Sequence, residues 1–332
     1  MKLVVINRKK VLFILLSFLA VITSLILYQR FHSPTETVQM IMGGMLYQQV
    51  IDEGEGEGQA LKKSSDVETY FRPSDLPVLN DRFDWNFFRD YLFKKVNEIT
   101  LPDYLLSSPE ETIINYFSIL REAENAEKDK LIGCGSIGNG DTPYPLAYHF
   151  LSSSYQKNMT YEQYLDSFKN ILHMNLIKYK EVPLYDNPTG IIRYFVEIET
   201  IEGSDKEVGY FAYYYGFVDL IKEGGLYKIS NLEFHGENYL CAPIHGWFYD
   251  AEASTQIRYG GWCKLIDTLY PTIQNGYVKH LYFKGTDGSD YMIEFYRLTN
   301  DYDIEIAQYK KDDKGIWKLI HLNPEKCLKG KS

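Results

Sequence analysis

Residues 207–222 read EVGYFAYYYGFVDLIK. In an extended chain successive side chains face opposite sides of the sheet. Phe211, Tyr213, Tyr215, Phe217 and Asp219 therefore share one face, and Ala212, Tyr214, Gly216, Val218 and Leu220 share the other. The second set carries the small residues, leaves room for covering helices, and is assigned to the core. The first set then presents an aromatic stripe, Phe211, Tyr213, Tyr215 and Phe217, as an interaction patch, since exposed aromatic patches mark contacts. Two occupants fit it: a foreign partner, or this chain's own C-terminal part or its aromatic run at 83–93.

Residues 173–182, 191–201 and 226–234 read as further strands. Gly203-Ser204-Asp205 and Glu223-Gly224-Gly225 supply turns joining 191–201, 207–222 and 226–234, and such short connections force antiparallel pairing. Helices precede them. Ser108-Pro109-Glu110-Glu111 combines an N-cap, proline in the first turn and glutamate at the third position. Thr160-Tyr161-Glu162-Gln163 is a second capping box, followed by a stripe of Tyr161, Tyr164, Leu165, Phe168, Ile171 and Leu172. A short helix is expected around 146–155. Helices followed by a curled antiparallel sheet make residues 108–236 an α+β domain.

Residues 237–325 repeat the order on a smaller scale. Trp262, Leu265, Ile266 and Leu269 mark a helix stopped by Pro271, with strands at 277–285, 289–298, 303–311 and 316–322. The segment GLYKISNL at 225–232 matches GIWKLIHL at 315–322. This fits a duplication, and equally two hairpins that end in Gly-x-aromatic.

Two capped helices feeding long antiparallel strands, ending in Gly224-Gly225-Leu226-Tyr227-Lys228-Ile229-Ser230, resemble the nuclear-transport-factor-like cone fold. The resemblance covers residues 108–236. It implies a helix-lined curved sheet that serves either as a binding module or as an enzyme pocket. Membrane-anchored members of that superfamily include scaffold subunits of conjugation and secretion machines.

Residues 11–28, VLFILLSFLAVITSLILY, carry no charge. At about 1.5 Å per residue they span roughly 27 Å, close to a hydrocarbon core about 30 Å thick. Lys2, Arg8, Lys9 and Lys10 precede them and only Arg30 follows closely. This bias puts the N-terminus in the cytoplasm and the bulk of the chain outside the cell membrane, as a single-pass signal anchor. A cleaved signal is the alternative, but the segment is long and Gln29-Arg30-Phe31-His32 offers no small-residue site. Residues 29–58 form a stalk that ends in the acidic glycine linker DEGEGEG at 52–58. Residues 59–107 connect it to the first domain.

The chain of 332 residues has 35 basic and 45 acidic groups, a net charge of −10. Setting aside the four basic groups of the tail leaves 31 against 45, or −14, outside the membrane. That balance excludes a nucleic-acid partner. An oxidising compartment permits disulfides. Of Cys134, Cys241, Cys263 and Cys327, the pair Cys241–Cys263 is the candidate bridge.

Catalytic patterns are thin. GCGSIG at 133–138 matches a dinucleotide loop, but a charged segment precedes it and NGDTP follows, where a strand and a helix are needed. His149, His173, His235, His245 and His280 have no ligand spacing. Asp287, Ser289 and Asp290 read as hairpin-turn chemistry, with too few ligands for calcium. Asp166 and His173 are the candidates for a cone-pocket acid or base. No catalytic residue, cofactor or metal is assigned. The expectation is a non-catalytic, single-pass membrane protein with an extracytoplasmic region that binds a protein partner or small ligand. An assembly scaffold and a cone-fold enzyme are the alternatives.

Overall fold

The computed structural model describes residues 39–47, 74, 76–125, 140–185, 190–203, 209–237 and 246–329. The apolar segment 11–28, the acidic linker 52–58, the glycine-rich stretch 133–138, Cys134, Cys241 and His245 lie outside the described residues. Among the described residues no helix is long and apolar enough to cross a membrane.

The fold is α+β, with two sheets. Helix α1 (Pro109–Arg121) starts where Ser108 Oγ accepts the Glu111 amide proton at 3.1 Å. It buries Ile113, Tyr116, Phe117 and Leu120. Three short helices follow: α2 (Pro143–Tyr148), α3 (Ser153–Asn158) and α4 (Tyr161–Asp166). The one helix expected around 146–155 is thus two, broken at His149–Ser152. The capping box at Thr160 and Gln163 is formed, but α4 is shorter than its apolar stripe. Asn170 takes φ +69 and turns the chain, so Ile171 and Leu172 open a strand instead.

Two short strands, β1 (Gln39–Ile41) and β2 (Gly44–Tyr47), precede those helices in sequence. Four long strands form an antiparallel meander: β3 (Ile171–Val182), β4 (Ile192–Gly203), β5 (Gly209–Glu223) and β6 (Leu226–Glu237). The sheet order is β1-β2-β6-β5-β4-β3, with β2 parallel to β6. Gly224 (φ +61) and Gly225 (φ +92) close the β5–β6 hairpin in a conformation that side chains disfavour. At Gly216 a Cβ would lie 2.0 Å from the Glu233 carbonyl oxygen, so β5 and β6 approach there only because the side chain is missing.

The second sheet has the order β12-β11-β10-β9-β7, with β8 also on β9. Its strands are β7 (Ile266–Leu269), β8 (Ile273–Asn275), β9 (Val278–Gly285), β10 (Asp290–Arg297), β11 (Asp303–Lys311) and β12 (Trp317–Ile320). The helix expected across 262–269 lies earlier. It is α5 (Ala251–Thr255), continuing as a π-wound segment over Gln256–Trp262. Lys264 at φ +56 then reverses the chain and Ile266–Leu269 pairs with β9. Leu265, Ile266 and Leu269 still pack on the core. Three apolar positions over five residues satisfied the helical period, and they satisfy a turn plus a strand equally well. The matched segments 225–232 and 315–322 both begin on a positive-φ glycine and supply the last strand of their meanders.

Candidate functional site

The two faces of β5 are sorted as its alternation dictates. Val218 and Leu220 are fully buried in the core under the helices, and Tyr214 packs against it. On the opposite face Tyr213 is 1% exposed and Tyr215 7%. Tyr215 joins Phe195, Tyr296, Leu298 and Val182 in a cluster that spans the two sheets, with Phe217 packed on it. Tyr215 also stacks on His235, ring centroids 4.7 Å apart. Of the expected patch, then, Tyr215 and Phe217 are covered by the chain's own C-terminal sheet, Tyr213 is buried, and Phe211 is half-buried at the strand's far end. Of the two occupants that fit the stripe, the chain's own C-terminal part is the one found on Tyr215 and Phe217.

Carboxylates lie among these rings. Across one row, Glu199 accepts from Asn175 Nδ2 at 3.1 Å and from the Tyr213 hydroxyl at 2.8 Å, and Arg121 donates to Asn175. Across the next, Lys178 Nζ lies 2.6 Å from Glu197 Oε2. Lys178 also donates to the Arg297 carbonyl at 2.9 Å, and Glu197 Oε1 accepts the Thr299 amide at 2.7 Å. Both oxygens of Glu237 are buried without a donor. Burial, and next the Glu197 charge, push its carboxyl well above the usual range.

The helix-covered face of the first sheet is packed with aromatic rings. Tyr116, Phe117, Tyr144, Phe150, Tyr164 and Phe168 are all buried there. The Tyr116 and Tyr164 hydroxyls satisfy each other at 3.1 Å. The two acid–base candidates are not brought together in a pocket: Asp166 is exposed and paired with Lys169, and His173 Nε2 lies 3.2 Å from Asn175 Oδ1 on the outer face. Among the other described histidines, His149 contacts the Val96 carbonyl and His280 contacts Glu294. Asp287 is hairpin chemistry, accepting from the Ser289 amide, the Tyr291 hydroxyl and Lys310. Those bonds, led by the Lys310 ammonium, hold its carboxyl far below the ordinary value. One carboxylate group among the described residues has ligand-like spacing, Asp250, Glu252 and Asp303. Lys279 already serves it as the cation, 2.6 Å from Asp303 and 3.7 Å from Glu252.

An open feature lies on the second sheet. A cleft of about 590 Å³ is lined by Tyr270, Pro271, Ile273, Tyr282, Asp290, Lys311 and Trp317, among others. Tyr270 is 45% and Ile273 57% exposed. The Tyr282 and Trp317 rings sit 5.8 Å apart. Lys311 Nζ lies 5.4 Å from the Trp317 centroid, and Lys284 pairs with Asp290 at 3.0 Å. Register builds the cleft: Lys284 lies opposite Asp290 and Lys311 opposite Trp317. Its residues are spread over 48 positions of sequence, from Tyr270 to Trp317, and no local pattern signals them.

The bridge is Cys263–Cys327, not Cys241–Cys263. Cys263 closes the helical segment and Cys327 sits in the terminal helix α6 (Pro324–Lys329), packed beside it. The second sheet brings the chain's end back to Cys263 across a separation of 64 residues.

No family model, curated protein or solved structure matches this chain.

Proposed function

We propose that this is a non-catalytic, single-pass membrane protein whose extracytoplasmic region binds a protein segment or small ligand in the aromatic cleft of its second sheet. The observation that carries the reading is the contrast between the two aromatic surfaces. Tyr215 and Phe217 of the first sheet are taken up in the seam and Tyr213 is buried, while Tyr270, Tyr282 and Trp317 remain at an open cleft rimmed by Asp290 and Lys311. Apolar walls with a few placed polar groups suit recognition. The candidates Asp166 and His173 lie apart, Asp166 exposed and paired with Lys169, which supports binding over catalysis, since acid–base chemistry needs its groups gathered at one pocket.

The uncharged segment 11–28 with its basic flank supports the anchor and its orientation. The Cys263–Cys327 bridge favours an oxidising compartment. A second reading, an assembly scaffold of an envelope machine, is favoured by the order of tail, apolar segment, stalk and helix-covered sheet. It makes the cleft's occupant another protein.

Photo-crosslinking in living cells tests the binding reading. A photoreactive residue in place of Tyr270 should give a discrete adduct that one in place of Glu325, on the terminal helix, does not. An adduct with protein supports the scaffold reading, and one with a small molecule supports ligand binding. Equal, diffuse labelling from both positions would overturn the cleft as the site.

A further inference from the structure

Among the described residues two lysines are buried, Lys178 and Lys279, and they differ in what they touch. In the seam Lys178 divides its donors between Glu197, the Arg297 carbonyl at 2.9 Å and Thr299 Oγ1 at 3.4 Å. In the second sheet Lys279, on β9, meets two carboxylates. Its Nζ donates to Asp303 Oδ2 at 2.6 Å and lies 3.7 Å from Glu252 Oε2. The Lys279 and Asp303 side chains are 8% and 3% exposed. Phe295, opposite Lys279 on the ladder, and Ala251, whose amide donates to Asp303 Oδ2 at 3.0 Å, are out of water as well. The two oxygens of Asp303 are unlike. Oδ2 has both of these donors, while Oδ1 is buried with no hydrogen-bond partner. A buried ion pair is costly to assemble, and an orphaned oxygen adds to the cost. Condensing the pair to an amide removes both charges and the orphaned atom together.

We propose that Lys279 and Asp303 form an intramolecular isopeptide bond, Nζ to Cγ, with loss of one water. Nothing external is consumed: an ammonium and a carboxylate become an amide and water, with no change of oxidation state. The existing hydrogen bond holds Nζ beside Cγ, so the two reacting atoms are already positioned. Glu252 is the proton carrier, its Oε2 near Nζ and a carboxylate oxygen within 4.8 Å of one of Asp303. A first proton leaves Nζ for Glu252, and the freed lone pair forms the bond to Cγ. Negative charge develops on Oδ2, where the Ala251 amide stabilises it. Glu252 passes that proton and then a second one from nitrogen to Oδ1. The Cγ–Oδ1 bond breaks and Oδ1 leaves as water. Oδ2 remains as the amide oxygen with its Ala251 donor, nitrogen keeps one hydrogen, and Glu252 ends as it began. The bond ties β9 to the start of β11 across β10, between residues 24 apart in sequence. Unlike the Cys263–Cys327 bridge, it resists reductant. It fastens the sheet that carries the cleft, independently of what fills the cleft.

The test is tryptic digestion and tandem mass spectrometry of the reduced full-length protein, purified in detergent. The wild type should yield one branched peptide that joins residues 265–284, uncut at Lys279, to residues 298–310. It should be lighter than its two arms by one water. K279R keeps a cation at the site but has no amine that can condense this way, and should yield only linear peptides. If K279R does not fold, E252Q takes its place; it leaves Lys279 and Asp303 intact, removes the proton carrier, and should lose most of the branched peptide. Wild-type protein that yields only linear peptides would overturn the proposal. So would a lost water that persists in K279R or maps to Asp287-Gly288, and a branched peptide at wild-type yield from E252Q would overturn the part given to Glu252.

Discussion

Lys178 Nζ and Glu197 Oε2 meet at 2.6 Å in the seam between the sheets, each almost wholly out of water. Lys178 also ties the first sheet to the Arg297 carbonyl at the end of β10. A buried pair of this kind is costly to assemble and more costly to break, because removing one partner leaves the other charged and dry. Substituting Lys178→Met should therefore destabilise the protein by about 3–5 kcal/mol. Denaturant unfolding measures it, and a loss below about 1 kcal/mol would mean that water reaches Glu197.

Gly216 should tolerate no side chain. The Glu233 carbonyl oxygen occupies the space a Cβ would need, so Gly216→Ala must part β5 from β6. A loss of about 1–3 kcal/mol, or more, is expected from overpacking a ladder. Hydrogen exchange would report it locally as faster exchange at Phe234, which lies opposite Gly216.

The Cys263–Cys327 bridge closes a separation of 64 residues. Loop-closure entropy gives about 4 kcal/mol for a loop of that length, and reductant should lower the melting temperature accordingly. In a double Cys263→Ser, Cys327→Ser variant the reductant effect should vanish. In intact cells, a membrane-impermeant thiol reagent should label these cysteines only after reduction. Labelling without reduction would contradict the bridge.

His149 should set the acid side of the stability profile. Burial, with the nearby Lys228 charge contributing, pulls its imidazole below the ordinary histidine value while its Nε2 contacts the Val96 carbonyl at 2.6 Å. A depressed pKa means stability that is present above about 6.5 and lost as pH falls through the folded value. Melting temperature should drop between pH 7 and 5, and His149→Gln should flatten that drop. An unchanged slope in the variant would assign the acid sensitivity elsewhere.

The local chemistry of the chain was readable and its long-range pairing was not. Ser108 and Thr160 cap helices because N-caps act over three residues. The alternation of β5 sorted Val218 and Leu220 from Tyr213 and Tyr215 because side-chain period is a local property. The same information could not say what lay on Tyr215, which depends on Tyr296 and Leu298 some eighty residues later. It misread Ile266 and Leu269 because positive φ at Lys264 has no sequence signature. It missed the cleft entirely, since Tyr270, Tyr282 and Trp317 converge only through sheet register. The cysteine pairing failed for the same reason.

The contrast between an open aromatic cleft on the second sheet and a closed aromatic stripe on the first can be measured directly. Hydroxyl-radical footprinting of the full-length protein, read by mass spectrometry, compares all these rings in one experiment. Tyr270, Tyr282 and Trp317 are expected to oxidise readily, while Tyr213, Tyr116 and Tyr164 stay protected. Ready oxidation of Tyr213 together with protection of Tyr270 and Trp317 would contradict the assignment and return the contact surface to the first sheet.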